Sequence, residues 1–219
     1  MNIFKLVHFH FLYYVVAFIV VLTGYFKEFI VFNGILMVHE FGHVMMAYYF
    51  KWNIDRILIL PFGAVTIFHE KINRPIYEEF LIAIAGIVVQ MLLYIFLCSF
   101  DLSFVMYEQY HWAILLFNLL PIYPLDGSKI FNLILCRFFP FCFCHMSGIF
   151  LSIVFLLIFF IFSFDFVSIL IGICLVQKLC FEIYYHRDMF QRFLLERYLY
   201  DFQFRKQNFI KMVLRCMVT

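Results

Sequence analysis

Apolar positions run along this chain in long stretches with short polar breaks, and several stretches are long enough to cross a bilayer as helix. Six spans are predicted, at about 9–26, 29–50, 80–99, 107–123, 146–163 and 165–185. The expected fold class is therefore an all-α polytopic membrane protein with about six transmembrane helices. Pro121 and Pro124 interrupt the fourth span. Between the second and third spans, "RILILPFGAVTIF" places two short β-prone runs around Pro61-Phe62-Gly63, which predicts a short membrane-associated β-hairpin. Non-helical backbone at that depth is stable only beneath protein or beside a wet cavity, so a cavity is expected nearby. From His186 to Thr219, charge alternates with Phe, Leu and Tyr, the pattern of a helix lying on a membrane surface. The predicted organisation is one six-helix membrane domain, 1–186, and a basic, helical cytoplasmic tail, 187–219.

Composition supports the membrane class. The chain is 66% hydrophobic and 14% charged over 219 residues, with a mean hydropathy of +0.98, which excludes an ordinary soluble domain. The first apolar run has no small-residue cleavage site behind it and is read as a retained helix. The net charge of +2 says little, but its distribution orients the chain. With six alternating spans, fourteen Lys and Arg fall on the side of both termini, and Lys27 alone on the other. Lys178 lies inside the last span, near its tail end. Both termini are therefore expected in the cytoplasm. None of the seven cysteines forms a C-x-x-C pair, so they are expected as small buried hydrophobes in a reducing setting. No nucleic-acid partner is expected.

Candidate chemistry sits inside the second span, in "MVHEFGHVMMAYYF" (37–50). A charged side chain at the bilayer centre costs at least ~2.5 kcal/mol, so such residues are rare and usually functional. His39 and His43 are four residues apart and share a helical face, the spacing with which two imidazoles grip one zinc ion. Glu40 then stands where a general acid/base would take a proton from water and return it to a leaving amine. This is the H-E-x-x-H pattern. At ~1.5 Å per residue, His39 lies near mid-membrane and His43 about 10 Å from the cytoplasmic end. Two histidines do not complete a catalytic zinc site, and a third protein ligand is needed. The best candidate is Asp126 in "FNLLPIYPLDGSKI" (117–130), on a proline-broken span end, with Gly127 expected to turn the chain tightly after it.

Together the two motifs resemble the site-2 protease family of intramembrane zinc metalloproteases. There, H-E-x-x-H lies in one transmembrane helix, and an aspartate in an N/L-P-x-x-P-L-D-G-type stretch completes the zinc site. The matching positions are His39, Glu40 and His43, then Asn118, Pro121, Pro124, Leu125, Asp126 and Gly127. "AIAGIVVQ" (83–90) resembles the family's small-residue stretch between the motifs, and "PFGAV" (61–65), with Gly63, its membrane-embedded hairpin. "FNLLPIYPLDG" and "FLLERY" (193–198) resemble the sporulation branch. That likeness implies one zinc ion and removal of the N-terminal pro-segment of a sporulation sigma factor. It also implies inhibitory membrane proteins and residence in the membrane around a forespore. Members of that branch usually add a nucleotide-sensing CBS domain. About 33 residues after the last span are too few for one, so nucleotide gating is an open question.

Secondary positions have plainer readings. Asn118 is expected near substrate or an unwound carbonyl, and Gln90 in a helix–helix hydrogen bond. Lys178 and Glu182 are spaced to pair. His8, His10, His69, His111, His145 and His186 are expected at the membrane–water boundary. Residues 64–68 are expected to offer a strand edge to an extended substrate. Rival readings are a site-2-type protease acting on a transmembrane anti-sigma factor or peptide remnant, a metal-ion transporter, and an inactive scaffold. A transporter would want polar residues on both sides of His39, and one side is nearly all apolar. Homo-oligomerisation is left open.

Overall fold

Seven helices and three strands make up the computed structural model, which describes residues 7–9, 11–60, 63–68, 75–101, 104–162 and 166–199. In chain order they are β1 (Val7–Phe9), α1 (Phe11–Thr23), α2 (Phe26–Tyr49), β2 (Ile54–Leu60), β3 (Gly63–Phe68) and α3 (Ile76–Ser99). Then come α4 (Val105–Leu119), α5 (Asp126–Cys136), α6 (Phe141–Phe162) and α7 (Phe166–Leu199). Among the described residues, three helices are long and apolar enough to cross a membrane: Phe26–Tyr49, Ile76–Ser99 and Cys142–Ile161. They coincide with the second, third and fifth expected spans. α1 and α4, at 13 and 15 residues, fall short of the roughly 20 that a 30 Å hydrocarbon core requires. The first expected span, from about residue 9, overlapped the end of β1 at Phe9. α7 continues without a break across the boundary expected at 186, while residues 200–219 of the tail lie outside the described residues.

The chain divides into two units, one containing β1–β3 and α1–α4, the other α5–α7. In the first, the sheet order is β1-β2-β3: β1 runs parallel to β2 and β3 antiparallel to it, with Ile57 opposite Thr66 and Leu60 opposite Gly63. The turn residues Pro61 and Phe62 lie outside the described residues. α2 buries Ile35, Leu36, His39, Gly42, His43, Val44 and Ala47, a stripe at helical spacing. Met37, Phe41, Met45 and Tyr48, between them, are exposed, as lipid-facing positions would be. On α3 the buried face is Ile82, Ala83, Ala85, Gly86 and Gln90. Small residues there bring the two backbones close, as membrane helix pairs favour. A Cβ added at Gly42 would stand 2.6 Å from the Ala85 carbonyl oxygen. One apolar cluster joins Val44, Ala47, Ile54, Ile57 and Ile82, and another joins Ile35, Tyr107 and Ile114. α2 ends where Lys51 takes φ 57°, which lets the Trp52 N–H reach the Ala47 carbonyl at 2.9 Å.

In the second unit, Ser152 on α6 organises the proline-rich approach to α5. Its hydroxyl accepts the Tyr123 N–H at 3.1 Å and donates to the Gly148 carbonyl at 2.8 Å. Ile122, in the same proline-rich segment, is fully buried. The chain leaves this segment directly into helix, so Gly127 is not the tight turn that was expected. It lies in the first turn of α5, because Asp126 begins the helix and its carboxylate suits the helix's positive end.

Several secondary expectations are corrected. His111 and His145 are not at a water boundary but buried, at 0% and 5% exposure. Glu182 approaches His145, at 3.6 Å, although Lys178 stands one helical turn away. Of the described cysteines none is disulfide-bonded, yet only Cys144 is buried, and Cys174 and Cys180 are exposed. A cysteine in an apolar helix can face lipid as readily as protein.

Candidate metal centre

The helical register of α2 turns both motif histidines onto its buried face. His39 is 1% exposed and His43 is 6% exposed. Each ring uses its Nδ1 on α3: His39 Nδ1 lies 3.0 Å from Gln90 Oε1, and His43 Nδ1 lies 2.7 Å from the Ile82 carbonyl oxygen. Both partners are acceptors, so both Nδ1 atoms carry the proton. Each Nε2 is then a lone pair, and the two Nε2 atoms face each other at 3.1 Å. Two lone pairs at that distance repel unless a cation lies between them. Nitrogens bound at ~2.05 Å to a tetrahedral zinc would stand about 3.3 Å apart. The pair thus has the tautomer, direction and spacing that zinc requires. The space before the two nitrogens is kept by Gly86, whose Cβ, if present, would meet both rings.

Glu40, next on the helix, is half-buried and accepts a hydrogen bond from the Thr66 hydroxyl of β3 at 3.1 Å. This contact helps to hold the carboxylate in place. Thr66→Val keeps the shape and removes the donor. It is expected to lower the rate of peptide hydrolysis about 10–100-fold, since a hydrogen bond to a charged group contributes ~1.5–3 kcal/mol. Thr66→Ser should restore the rate, and zinc content should not change in either variant. A valine variant with unaltered turnover would remove Thr66 from the site.

In the second unit, Asp126 is 7% exposed, and its Oδ1 lies 3.1 Å from Lys129 Nζ. Asn118 is half-buried in the last turn of α4, and Pro121 and Pro124 lie in the non-helical segment before α5. Gly63 opens β3. Three contributors were not evident from the sequence as site residues: Thr66, the Ile82 carbonyl and Gln90. A hydroxyl in a strand and a backbone carbonyl carry no sequence signal. Gln90 carried one, as a lone amide in an apolar helix.

The fold and these residues define an intramembrane metalloprotease class, and the chain belongs to peptidase family M50, the site-2 protease family. The family profile matches residues 27–107, which include the histidine motif and α3. The chain is 33% identical to Stage IV sporulation protein FB of Bacillus subtilis, over 88% of this chain and 71% of that protein. It is also 33% identical to a zinc metalloprotease of Methanocaldococcus jannaschii, over 47% of this chain and 32% of that protein. Its fold matches the site-2 protease structure from the same archaeon with a TM-score of 0.61. That match covers 80% of this chain and 89% of the other at 23% identity. The helices long enough to span and the family together make this an integral membrane protein.

Proposed function

We propose that this chain is an H-E-x-x-H zinc endopeptidase that cleaves a membrane-associated protein near or within the bilayer. The observation that carries the reading is the pair of imidazole Nε2 lone pairs converging at 3.1 Å in a protein interior. His39, His43 and Asp126 are the ligands: three buried side chains, each offering one donor atom, in the mixed nitrogen and oxygen set that zinc accepts. When bound, zinc supplies a Lewis acid for the scissile carbonyl and makes water a nucleophile near neutral pH. Glu40 takes the proton from the attacking water and delivers it to the departing amine nitrogen. Thr66 holds that carboxylate in reach. β3 ends the three-stranded sheet among the described residues, and an extended substrate added along it would lie on the strand that contacts Glu40.

The substrate reading is the N-terminal pro-segment of a sporulation sigma factor, supported by the likeness to the Bacillus subtilis sporulation protein. Inhibitory membrane partners and the membrane around a forespore go with that reading. Six spans with both termini cytoplasmic, residues 1–186 as the membrane domain and a basic surface tail complete it. The alternative is a transmembrane anti-sigma factor as substrate.

Co-expression in a heterologous bacterium distinguishes them. The intact chain should shorten a pro-sigma factor from the same source, and a proline placed at Val65, within β3, should reduce that shortening. Cleavage of the anti-sigma factor alone would transfer the assignment to the alternative. Zinc binding with cleavage of neither would favour the scaffold.

A further inference from the structure

Gln90 is fully buried on α3, and each end of its amide is committed. Its Nε2 donates to the His111 carbonyl oxygen at 3.0 Å, with His111 Nδ1 a further 3.4 Å neighbour. Its Oε1 faces His39 Nδ1 at 3.0 Å. A carbonyl oxygen can only accept, so the amide cannot flip without setting oxygen against oxygen there. His111 itself is immobilised. It is 0% exposed, and its ring stacks on Tyr94 with centroids 4.4 Å apart and planes 12° from parallel. The direction of each hydrogen bond therefore follows from the one before it.

We propose that Gln90, oriented by the His111 backbone, is the positioning residue that selects the metal-ready tautomer of His39. The chain of causes runs from carbonyl to amide to imidazole. The His111 oxygen turns the amide, the amide oxygen takes the Nδ1 proton of His39, and the lone pair is left on Nε2, toward His43. His43 receives the same instruction from a backbone carbonyl, Ile82, which no side-chain change can remove. The tautomer of His39 is therefore set through a replaceable side chain. Metal-ligating histidines commonly hold their other nitrogen in this way, and losing that partner typically costs 10–100-fold in metal affinity.

This rests on the zinc reading above, and the test separates the two. Zinc affinity is measured on the full chain in detergent micelles by chelator competition, for wild type, Gln90→Leu and Gln90→Glu. Gln90→Leu keeps the volume and loses the acceptor, and its affinity should fall ~10–100-fold. Gln90→Glu, as the neutral acid, keeps the acceptor beside Nδ1 and a donor toward the His111 carbonyl, and should bind zinc ~10–100-fold more tightly than Gln90→Leu. A residue that merely glues helices would give the reverse order, because leucine suits an apolar interface and a carboxylate does not. Equal affinity of wild type and Gln90→Leu overturns the proposal, whereas a wild-type chain that binds no zinc overturns the reading beneath it. Should Gln90→Leu not fold, nitrogen-15 NMR of metal-free wild type decides: a proton on His39 Nδ1 supports the proposal, and a proton on Nε2 refutes it.

Discussion

Glu40→Gln is expected to stop peptide hydrolysis, with a rate lower by about 10²–10⁴-fold, while the protein still holds zinc. The substitution is nearly isosteric. A glutamine carbonyl can accept the Thr66 hydroxyl as the carboxylate does at 3.1 Å, so the side chain keeps its place. What it loses is the capacity to take a proton from water and release it to the amine. The proposed zinc ligands are untouched, since Glu40 is not among them. Substrate cleavage and zinc content are therefore measured on the same preparation. Loss of cleavage with full zinc is the expected pair. Cleavage that persists would mean another group moves the proton, and loss of both would mean Glu40 supports the metal.

Gly86→Ala is expected to empty the site without unfolding the protein. A Cβ at this position would stand 2.9 Å from His39 Nε2 and closer still to His43 Nε2, which is the space the metal needs. Alanine favours helix over glycine by about 1 kcal/mol, so α3 itself gains stability from the change. The effect is thus steric and local. Zinc affinity should fall by more than the ~100-fold upper range for losing a supporting hydrogen bond. Gly34→Ala is the matched control, because a Cβ there has nothing within 4 Å and should leave zinc and activity unchanged. Dialysis against graded chelator, with thermal unfolding as a check on the fold, measures both variants. Zinc retention by Gly86→Ala would show that the histidine rings can yield.

How much was legible beforehand depended on whether the information is local. The H-E-x-x-H spacing is local, because a helix brings every fourth residue to one face, and His39 and His43 do share the buried stripe of α2. The spanning character of α2, α3 and α6 is also local, being a matter of length and apolarity. β1 was not legible, since Val7, His8 and Phe9 are too short a run to show a strand pattern and become a strand only by pairing with Ile57–Ile59. α5 was missed for a related reason. The two prolines and the glycine read as a turn, whereas the Ser152 hydroxyl and the burial of Ile122 hold the segment so that helix begins at Asp126.

The sequence by itself determined the membrane class, the histidine and glutamate motif and the face on which the two histidines lie, because all three follow from composition and the 3.6-residue period. Only the tertiary structure decided which nitrogen of each histidine carries its proton, why Gly86 has no side chain and which hydroxyl steadies Glu40. Those depend on atoms of α3, α4 and β3 that meet α2 across long stretches of chain. A hydrogen-bond direction is a property of two partners at once, and the second partner cannot be named until the fold has delivered it.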